Sequence, residues 1–345
     1  MNQTIIHGIA RLDEIWTALR PRKVFLACGS SFDRLRMRDG LLPKNAEIVR
    51  FSAFAPNPRY EDAQSGAELF RRERCDVILA VGGGSAIDVA KCVKLYSGTD
   101  APLLAVPTTA GTGSESTRHA VVYRNGVKQS IGDERLIPNY AILEPSVLEG
   151  LPVYQKKCTM LDALCQGIES WWSVNATEES VSFSRAAVGG IAANWKRYLE
   201  ENDPSAAAQI LDAANASGCA INITATTAPH AMSYKLTSLY GLPHGHAVAL
   251  CMGEVWPYLA AHTSGCIDPR GSEYLERVLR EIDSVFSLEQ YRALLAGLGM
   301  TYPAARDRER ELSILTAAVN PERLKNNPVP LAESVLHAMY ERILR

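Results

Sequence analysis

The sequence predicts a fold in two parts, an α/β region with a parallel sheet over residues 1–150 and an all-helical region over residues 151–345. Three observations predict it. Short apolar runs alternate with helical periodicity as far as about residue 150, and several of these runs end in glycine-rich turns. Beyond that point the alternation stops and helical periodicity alone continues. A chain of 345 residues is long enough for one or two domains.

The elements of the first region follow the order of strand–helix units. Apolar runs predict strands at residues 23–28, 47–51, 75–81, 103–107 and 140–143. Helical periodicity between them predicts helices at residues 12–20, 60–74 and 86–96. Alternating residues at 119–143 surround Asn125-Gly126, a dipeptide that favours the tight turn of a β-hairpin.

The second region shows a long series of amphipathic segments separated by glycine and proline. The predicted helices cover residues 154–172, 178–201, 205–220, 222–240, 245–262, 272–283, 287–298, 307–318 and 331–344. Ligands of parallel sheets bind at the carboxyl ends of the strands. Because candidate phosphate-binding turns lie in the first region and candidate metal ligands in the second, we expect the active site in the cleft between the two regions.

Composition excludes several classes of protein. The 36 basic and 38 acidic residues give a net charge of −2 without a long basic run, which argues against a nucleic acid or an anionic membrane as partner. An apolar run of 18 residues, as a membrane span needs, is absent from the sequence, and the first 20 residues lack the apolar core of a signal peptide. The eight cysteines form no C-x-x-C pair, which favours reduced core residues in a cytoplasmic protein.

Two stretches of the helical region predict a metal site. Residues 222–250 hold three of the seven histidines, and residues 160–170 hold acidic and amide side chains, two of them four residues apart on one helix face. The candidate ligands are His230, His244 and His246 in the first stretch, and Asp162, Gln166 and Glu169 in the second. Imidazole with carboxylate suits Zn(II) or Fe(II) better than Mg(II) or Ca(II). The other four histidines, including His119, are interpreted as packed or solvated side chains.

A glycine-rich turn at residues 82–85 is a candidate phosphate site. Glycines let backbone N–H groups approach a pyrophosphate, and the helix that follows offers its positive end. Ser85 adds a hydroxyl donor, and Asp88, one turn further, is placed to orient the loop. The alternative is an ordinary tight strand–helix turn, since the sequence matches neither the usual dinucleotide fingerprint nor the P-loop.

Five longer motifs, which include the glycine-rich turn and several candidate ligands, resemble those of a known protein family. The motifs are GGGSAIDVAK (82–91), PTTAGTGSE (107–115), DALCQGIE (162–169), PHGHAVAL (243–250) and NPERLKNNPVPL (320–331). In them the sequence resembles the iron-containing (group III) alcohol dehydrogenase family, whose fold is that of dehydroquinate synthase. The resemblance implies a dehydroquinate synthase-like fold, NAD(P)H in the cleft, and Fe(II) or Zn(II) that polarises the carbonyl or alcohol. It also implies a homodimer.

The resemblance assigns roles position by position. It implies cofactor contacts at Gly83, Gly84, Ser85, Asp88, Thr108, Thr109 and Ser114. It implies metal ligands at Asp162, His230 and His244. The family's fourth ligand is a histidine, and this chain has Gln166 there, whose amide binds metal more weakly; His246 is the alternative ligand. Tyr234 stands where the family often has a further histidine.

A second departure concerns the cofactor. The family often has an aspartate at the end of the first long strand, where it binds the adenosine ribose. This chain reads Cys28-Gly29-Ser30-Ser31 instead. Loss of that carboxylate removes repulsion toward a 2′-phosphate, which Ser30, Ser31 and Arg34 or Arg36 could bind, so the replacement is compatible with NADPH and leaves the choice between NADH and NADPH open.

A narrower resemblance concerns the substrate. The stretches DALCQGIESWWSVNATEES and NITATTAPHAMSYKLTS look like those of phosphonoacetaldehyde reductases, which form 2-hydroxyethylphosphonate in phosphonate natural-product biosynthesis. For an aldehyde reduction of this kind, His246 is the first candidate for proton relay and Tyr234 the second. Arg118 and Lys235 are the candidates for binding a phosphonate. Three alternatives stay open. They are a dehydrogenase for short-chain alcohols or polyols, a dehydroquinate synthase-like lyase or cyclase, and a non-enzymatic protein whose metal and cofactor motifs are vestigial.

Overall fold

Six parallel strands form the central sheet in the computed structural model, which describes residues 3–125 and 127–345. The strands of this sheet are β1 (Thr4–His7), β2 (Lys23–Cys28), β3 (Glu47–Phe51), β4 (Val77–Gly82), β5 (Leu103–Pro107) and β8 (Tyr140–Leu143). Two further strands are β6 (His119–Arg124) and β7 (Val127–Gly132). The sheet has the order β1-β8-β5-β4-β2-β3, and β6 pairs with β7 in a separate antiparallel hairpin. Gly82 lies opposite Pro107, so the glycine-rich turn and the threonine-rich loop leave the sheet side by side.

Helices cover the sheet and make up the rest of the chain. Three of them belong to the first region: α1 (Leu12–Leu19), α2 (Tyr60–Glu73) and α3 (Gly84–Ser97). The others are α4 (Val153–Trp172), α5 (Glu178–Glu200), α6 (Pro204–Thr224), α7 (Ala228–Tyr240), α8 (His244–Ala261), α9 (Ser272–Val285), α10 (Leu288–Gly297), α11 (Arg308–Ala317), α12 (Pro321–Leu324) and α13 (Glu333–Ile343). The predicted fold class is therefore confirmed, and the boundary near residue 150 stays a prediction.

The structure differs from the expected elements in a few places. Strand β1 and helix α12 are additional, and both are only four residues long, too short to show a period in sequence. The helix expected at residues 222–240 is divided between the end of α6 and all of α7. The break occurs because α6 ends at Thr224 and Ala225 adopts a φ of 56°. The predicted hairpin is confirmed by the pairing of β6 with β7, while Gly126 of its turn lies outside the described residues.

Helix α4 is the central helix of the second region. It packs against α5, α6 and α8, and it buries nearly all of its residues after Thr159. Its buried polar side chains include Asp162, Gln166 and Glu169, which are between 0% and 3% exposed. Buried polar groups cost free energy unless they are bonded, so these three side chains need partners from the neighbouring helices and loops.

A glycine sets the distance between α4 and α8. A Cβ atom at Gly245 would lie 1.9 Å from the carbonyl oxygen of Cys158 and 2.9 Å from the Cβ of Asp162. The two helices can touch only because residue 245 has no side chain. The contact fixes the first turn of α8, and with it His244, beside the Asp162 position on α4.

The remaining sequence expectations concern cysteines and membranes. None of the eight cysteines forms a disulfide, and six of them are buried, as expected of small core residues. Over residues 3–125 and 127–345, every helix falls short of the combined length and apolar content that crossing a bilayer requires.

Candidate metal and cofactor site

A single large cleft contains most of the predicted site residues. Its volume is about 1680 Å³, and its walls come from the carboxyl ends of β2, β4 and β5 on one side and from α4, α7 and α8 on the other. The predicted residues that line it are Gly83, Gly84, Ser85, Asp88, Thr108, Thr109, Ser114, Asp162, Gln166, His230, Tyr234 and His244. The cleft is therefore where the glycine turn and the candidate ligands meet.

Asp162, His230 and His244 form a compact group in this cleft. Their ligand atoms all lie within 4.8 Å of one another. The Nε2 atom of His230 is 3.2 Å from Oδ1 of Asp162, and Nε2 of His244 is 4.0 Å from the same oxygen. Asp162 and His230 are buried, whereas His244 is about a third exposed toward the cleft. Two imidazoles and a carboxylate around one space are donors that fit a divalent transition metal.

Glu169 orients His230. One carboxylate oxygen of Glu169 contacts Nδ1 of His230, and the other accepts hydrogen bonds from the backbone N–H of Thr227 at 2.8 Å and from its hydroxyl at 3.0 Å. A proton on Nδ1 leaves the lone pair of Nε2 directed at Asp162, the arrangement usual for a metal-ligating histidine. Burial lowers the pKa of His230, but Glu169 and Asp162 outweigh burial and raise it to about 9. Without a metal ion the ring therefore also holds a proton on Nε2 near pH 7, and a bound metal ion would displace that proton.

Gln166 lies one helical turn after Asp162 and has two partners. Its side-chain oxygen accepts a hydrogen bond of 2.9 Å from the hydroxyl of Ser217 on α6, and its amide nitrogen donates to the carbonyl of Thr112 at 3.4 Å. The amide therefore links α4 to α6 and to the threonine-rich loop. Its role as a metal ligand stays a prediction.

The glycine turn presents backbone N–H groups at the start of a helix. Strand β4 ends at Gly82, Gly83 caps α3, and α3 begins at Gly84. A Cβ at Gly84 would lie 2.9 Å from the hydroxyl of Thr112, so the two loops are in close contact. The N-terminus of a helix of 14 residues with free N–H groups suits the pyrophosphate of a dinucleotide.

Asp88 connects the turn to its surroundings. One of its carboxylate oxygens accepts a hydrogen bond from the hydroxyl of Ser114, and the other accepts one from the backbone N–H of Val121 at 3.0 Å. It therefore joins α3 to the threonine-rich loop and to the hairpin. This geometry agrees with the expectation that Asp88 orients the loop.

The structure does not bring His246 to the cleft. It is 1% exposed, its Nδ1 lies 2.8 Å from the hydroxyl of Tyr154, and its Nε2 lies 2.9 Å from the carbonyl of Thr301. Both ring nitrogens are occupied on the far side of α8, so the geometry gives no support to the proton relay or to a fourth ligand. The ring instead ties α8 to α4 and to the loop at Thr301.

Arg118 and Lys235, the expected phosphonate-binding residues, also lie outside the cleft lining. Arg118 points its guanidinium at Glu134, 2.7 Å away, in an ion pair that is about half exposed. Lys235 follows Tyr234 on α7, and successive residues on a helix point in directions about 100° apart. Neither cation therefore lies in the lining of the cleft, and their role toward the substrate stays a prediction.

Among the lining residues that sequence reasoning missed, two carry or can carry a positive charge. Arg323, on the short helix α12, faces the cleft beside Tyr234. His119, which sequence reasoning interpreted as packed or solvated, also lines the cleft. Burial, followed by nearby Arg118 and Lys91, lowers the pKa of His119 to about 4, so its ring is neutral near pH 7. For Arg323 a signal existed, because NPERLKNNPVPL stands out as a motif; for His119 there was none.

Comparison with known proteins agrees with this geometry. Residues 2–145 match the family described as iron-containing alcohol dehydrogenase, and residues 157–341 match the carboxy-terminal domain of the Fe-containing alcohol dehydrogenase family. The chain belongs to the iron-containing alcohol dehydrogenase family. It is thus an NAD(P)-dependent, metal-containing oxidoreductase of the class that interconverts alcohols and aldehydes.

Individual members of the iron-containing alcohol dehydrogenase family are similar over nearly the whole chain. Phosphonoacetaldehyde reductase from Streptomyces viridochromogenes is 32% identical, over 94% of this chain and 91% of its own length. The structure of sulfoacetaldehyde reductase from Bifidobacterium kashiwanohense in complex with NAD+ is 27% identical, with a TM-score of 0.85 over 99% of this chain and 96% of that one. An iron-containing alcohol dehydrogenase from Thermococcus thioreducens shares the fold, with a TM-score of 0.89 at 22% identity over 99% of this chain and 98% of that one.

The buried charges in the cleft of this iron-containing alcohol dehydrogenase favour a bound metal ion. The buried carboxylates of Asp162 and Glu169 face two imidazoles, and burial of such negative charge is costly without a cation. A divalent ion held by Asp162, His230 and His244 would compensate that charge, with Glu169 behind His230. The donor set therefore fits the iron that the family name implies.

Proposed function

We propose that this protein reduces phosphonoacetaldehyde to 2-hydroxyethylphosphonate with a nicotinamide cofactor, as an aldehyde reductase of phosphonate natural-product biosynthesis. The observation that carries the reaction class is the shared cleft, which joins the Asp162–His230–His244 group to the glycine turn. The choice of substrate is supported by the similarity to the Streptomyces viridochromogenes enzyme along nearly the entire chain.

The chain's own residues would prepare the site for this reaction. A metal ion bound by Asp162, His230 and His244 would supply Lewis-acid polarisation of the carbonyl, and the reduced nicotinamide would supply the hydride. Glu169 holds the proton of His230 on Nδ1 and keeps Nε2 available as a ligand atom. Gln166 holds the threonine-rich loop against α4 through the Thr112 carbonyl.

Tyr234 is the proton donor that we propose in place of His246. Tyr234 lines the cleft, and its ring stacks on the ring of His244 with centroids 5.6 Å apart and planes 4° apart. Burial raises the pKa of Tyr234 above that of an ordinary phenol, so the hydroxyl keeps its proton at neutral pH. It can then donate to the substrate oxygen as negative charge develops there.

We propose that the cofactor is NADPH in preference to NADH. Ser30, Ser31, Arg34 and Arg36 all line the cleft after β2. The one carboxylate of that turn, Asp33, forms an ion pair of 2.7 Å with Arg50. A 2′-phosphate would therefore meet hydroxyl and guanidinium donors with little repulsion.

Three expectations about the whole protein also remain proposals. They are a homodimer, a cytoplasmic location, and a boundary near residue 150 between a cofactor-binding and a metal-binding domain. Sedimentation of the purified protein tests the first, and the family resemblance supports it.

The test of the function is a substrate comparison on protein whose metal content has been measured. Oxidation of NADPH and NADH is followed with phosphonoacetaldehyde, acetaldehyde and propanal at equal concentrations. We expect kcat/KM for phosphonoacetaldehyde to exceed that for propanal by roughly 100-fold, the contribution of one well-bound charged group. Equal turnover of plain aldehydes would favour the short-chain alcohol dehydrogenase instead. Tightly held NAD that is not consumed would favour the lyase or cyclase.

A further inference from the structure

Arg323 places a positive charge in the wall of the cleft, next to the metal-binding group. Its guanidinium carbon lies 5.3 Å from the centre of the Tyr234 ring. The Tyr234 ring stacks in turn on His244, with 5.6 Å between ring centres. The sum of the two separations is the upper limit for the distance between the Arg323 charge and the His244 ring. Arg323, Tyr234 and His244 all line the same cleft, so a ligand in that cleft can approach both the guanidinium and the metal-binding group.

The charge of Arg323 lacks a protein counter-ion in the part of the chain that the structure describes. There, no carboxylate oxygen lies within 4.0 Å of its guanidinium nitrogens. The neighbouring acid, Glu322, is paired with Lys325 at 2.7 Å. The half-buried Arg323 side chain also lowers the pKa of His119, after burial and two other cations, and so keeps that lining ring neutral. A guanidinium in such a wall attracts an anion from solution.

The segment that carries Arg323 is fixed to the helical region. The side-chain amide of Asn326 donates to the carbonyl of Thr226 at 3.1 Å and accepts from the side chain of Asn175 at 2.9 Å. The backbone carbonyl of Asn326 accepts a further bond of 3.1 Å from Val174. Thr226 directly precedes Thr227, which binds Glu169 behind the metal-binding group. The backbone that carries Arg323 is thus attached to the same part of the helical region as the candidate ligands.

Position also separates Arg323 from the other cations of the cleft. Arg34 and Arg36 follow β2, at the cofactor end, and Arg36 lies 3.8 Å from Glu149. Arg323 lies against the Tyr234 ring, and that ring stacks on the candidate ligand His244. The arginines of the cleft lining therefore form two groups, one that follows β2 and one beside Tyr234.

We propose that Arg323 binds the anionic group of the substrate and selects aldehydes that carry a tetrahedral oxyanion on the carbon next to the carbonyl. This inference rests on the proposed function and specifies the residue that sets its selectivity. Phosphonates and sulfonates share this chemistry, and the planar guanidinium can bind two of their oxygens at once. Arg323 takes the role that sequence position had suggested for Arg118 and Lys235.

The first experiment compares Arg323→Gln and Arg323→Lys with the wild type. The control is Lys325→Gln, which removes the same charge from the same segment at an exposed side chain outside the cleft lining. We expect Arg323→Gln to lower kcat/KM for phosphonoacetaldehyde by roughly 100-fold, mainly through KM, with propanal and the KM of NADPH changed less than about threefold. Arg323→Lys retains part of the selectivity because lysine keeps the charge without the planar fork.

A dead-end ligand separates this inference from the proposed substrate. Ethylphosphonate carries the anion but no carbonyl, so its binding is measured by calorimetry on metal-loaded, NADPH-bound protein and as inhibition of propanal reduction. We expect binding to the wild type and to Lys325→Gln, and a loss of at least about 30-fold in affinity in Arg323→Gln. Unchanged ethylphosphonate binding in Arg323→Gln would overturn the inference, as would an equal loss of activity toward propanal.

The outcomes for substrate and residue are distinguishable. If the wild type shows no preference for phosphonoacetaldehyde over propanal, the proposed function is refuted. The binding of ethylphosphonate then still tests the role of Arg323. A preference for phosphonoacetaldehyde that survives Arg323→Gln leaves the function standing and overturns the inference. Sulfoacetaldehyde is the third substrate: if it is preferred, and Arg323→Gln abolishes that preference, the inference is supported with a sulfonate as the source of the anion.

Discussion

The substitution Gly245→Ala should displace the metal-binding group by a calculable distance. Gly245 lies in the first turn of α8, where that helix meets α4. An added Cβ would lie 1.9 Å from the Cys158 carbonyl oxygen, whereas ordinary contact begins at 3.4 Å. Helix α8 must therefore move away from α4 by about 1.5 Å, because the obstacle is backbone and cannot rotate aside.

That movement separates the candidate ligands. His244 directly precedes Gly245, and Asp162 carries a Cβ that the new methyl group would meet at 2.9 Å. Metal sites tolerate misplacement of about 0.5 Å, so a shift three times larger should lower metal affinity by roughly 100-fold or more. Overpacking of the helix contact should also lower the free energy of unfolding by about 1–3 kcal/mol.

The assay measures metal content after dialysis, metal affinity by chelator competition, and the thermal midpoint. The matched control is Gly253→Ala on the same helix, where an added Cβ would meet only a side-chain atom of Leu295 at 3.9 Å. That control should bind metal normally and gain up to about 1 kcal/mol of stability from helix propensity. If Gly245→Ala bound metal with wild-type affinity, the close contact between α4 and α8 would not set the ligand geometry, and the reasoning would be refuted.

Two further predictions concern groups around the cleft and a third concerns the cofactor. Glu169→Gln should weaken metal binding by about 10–100-fold in chelator competition, since it weakens the hold on His230, and unchanged affinity would contradict the assignment. His119 has a pKa of about 4 when folded against an ordinary 6.5, so the unfolded chain takes up a proton across that window and stability falls as pH drops from 6.5 to 4. The thermal midpoint of His119→Gln should fall less than that of the wild type between those pH values. Arg34→Gln should raise KM for NADPH by about tenfold and leave that for NADH unchanged, and equal changes would argue against a 2′-phosphate site.

The parts of the site that sequence predicts are those whose chemistry is local. The glycine turn is visible because a strand, three glycines and a helix follow one another within a few residues. Asp162 and Gln166 are visible because they are four residues apart on one helix, and both line the cleft. In each case the separation along the chain determines the distance between the residues in the folded protein, so the prediction does not depend on a tertiary contact.

For His246, spacing along the chain is not sufficient to predict whether the side chain reaches the cleft. The motif PHGH places two histidines two residues apart, and the sequence prediction began the helix at residue 245, which left His244 outside it. In the structure α8 begins at His244, so both histidines are helical. Residues i and i+2 of a helix point to nearly opposite sides, and only one of the pair can face the cleft. The helix start, one residue earlier than expected, decides which imidazole reaches the site.

The substrate end of the cleft depends on tertiary contacts that no spacing reveals. Arg118 and Lys235 were chosen because they follow the threonine-rich loop and Tyr234 in sequence, but the side chain of Arg118 pairs with Glu134 and neither residue lines the cleft. Arg323 lies far along the chain from Tyr234 and reaches it because Asn326 bonds to Thr226. The reaction class follows from motifs on adjacent turns, whereas substrate selectivity follows from how a late segment folds back. For this chain we therefore expect substitutions in α12 to change which aldehyde is reduced, and substitutions in α4 or α8 to change whether any aldehyde is reduced.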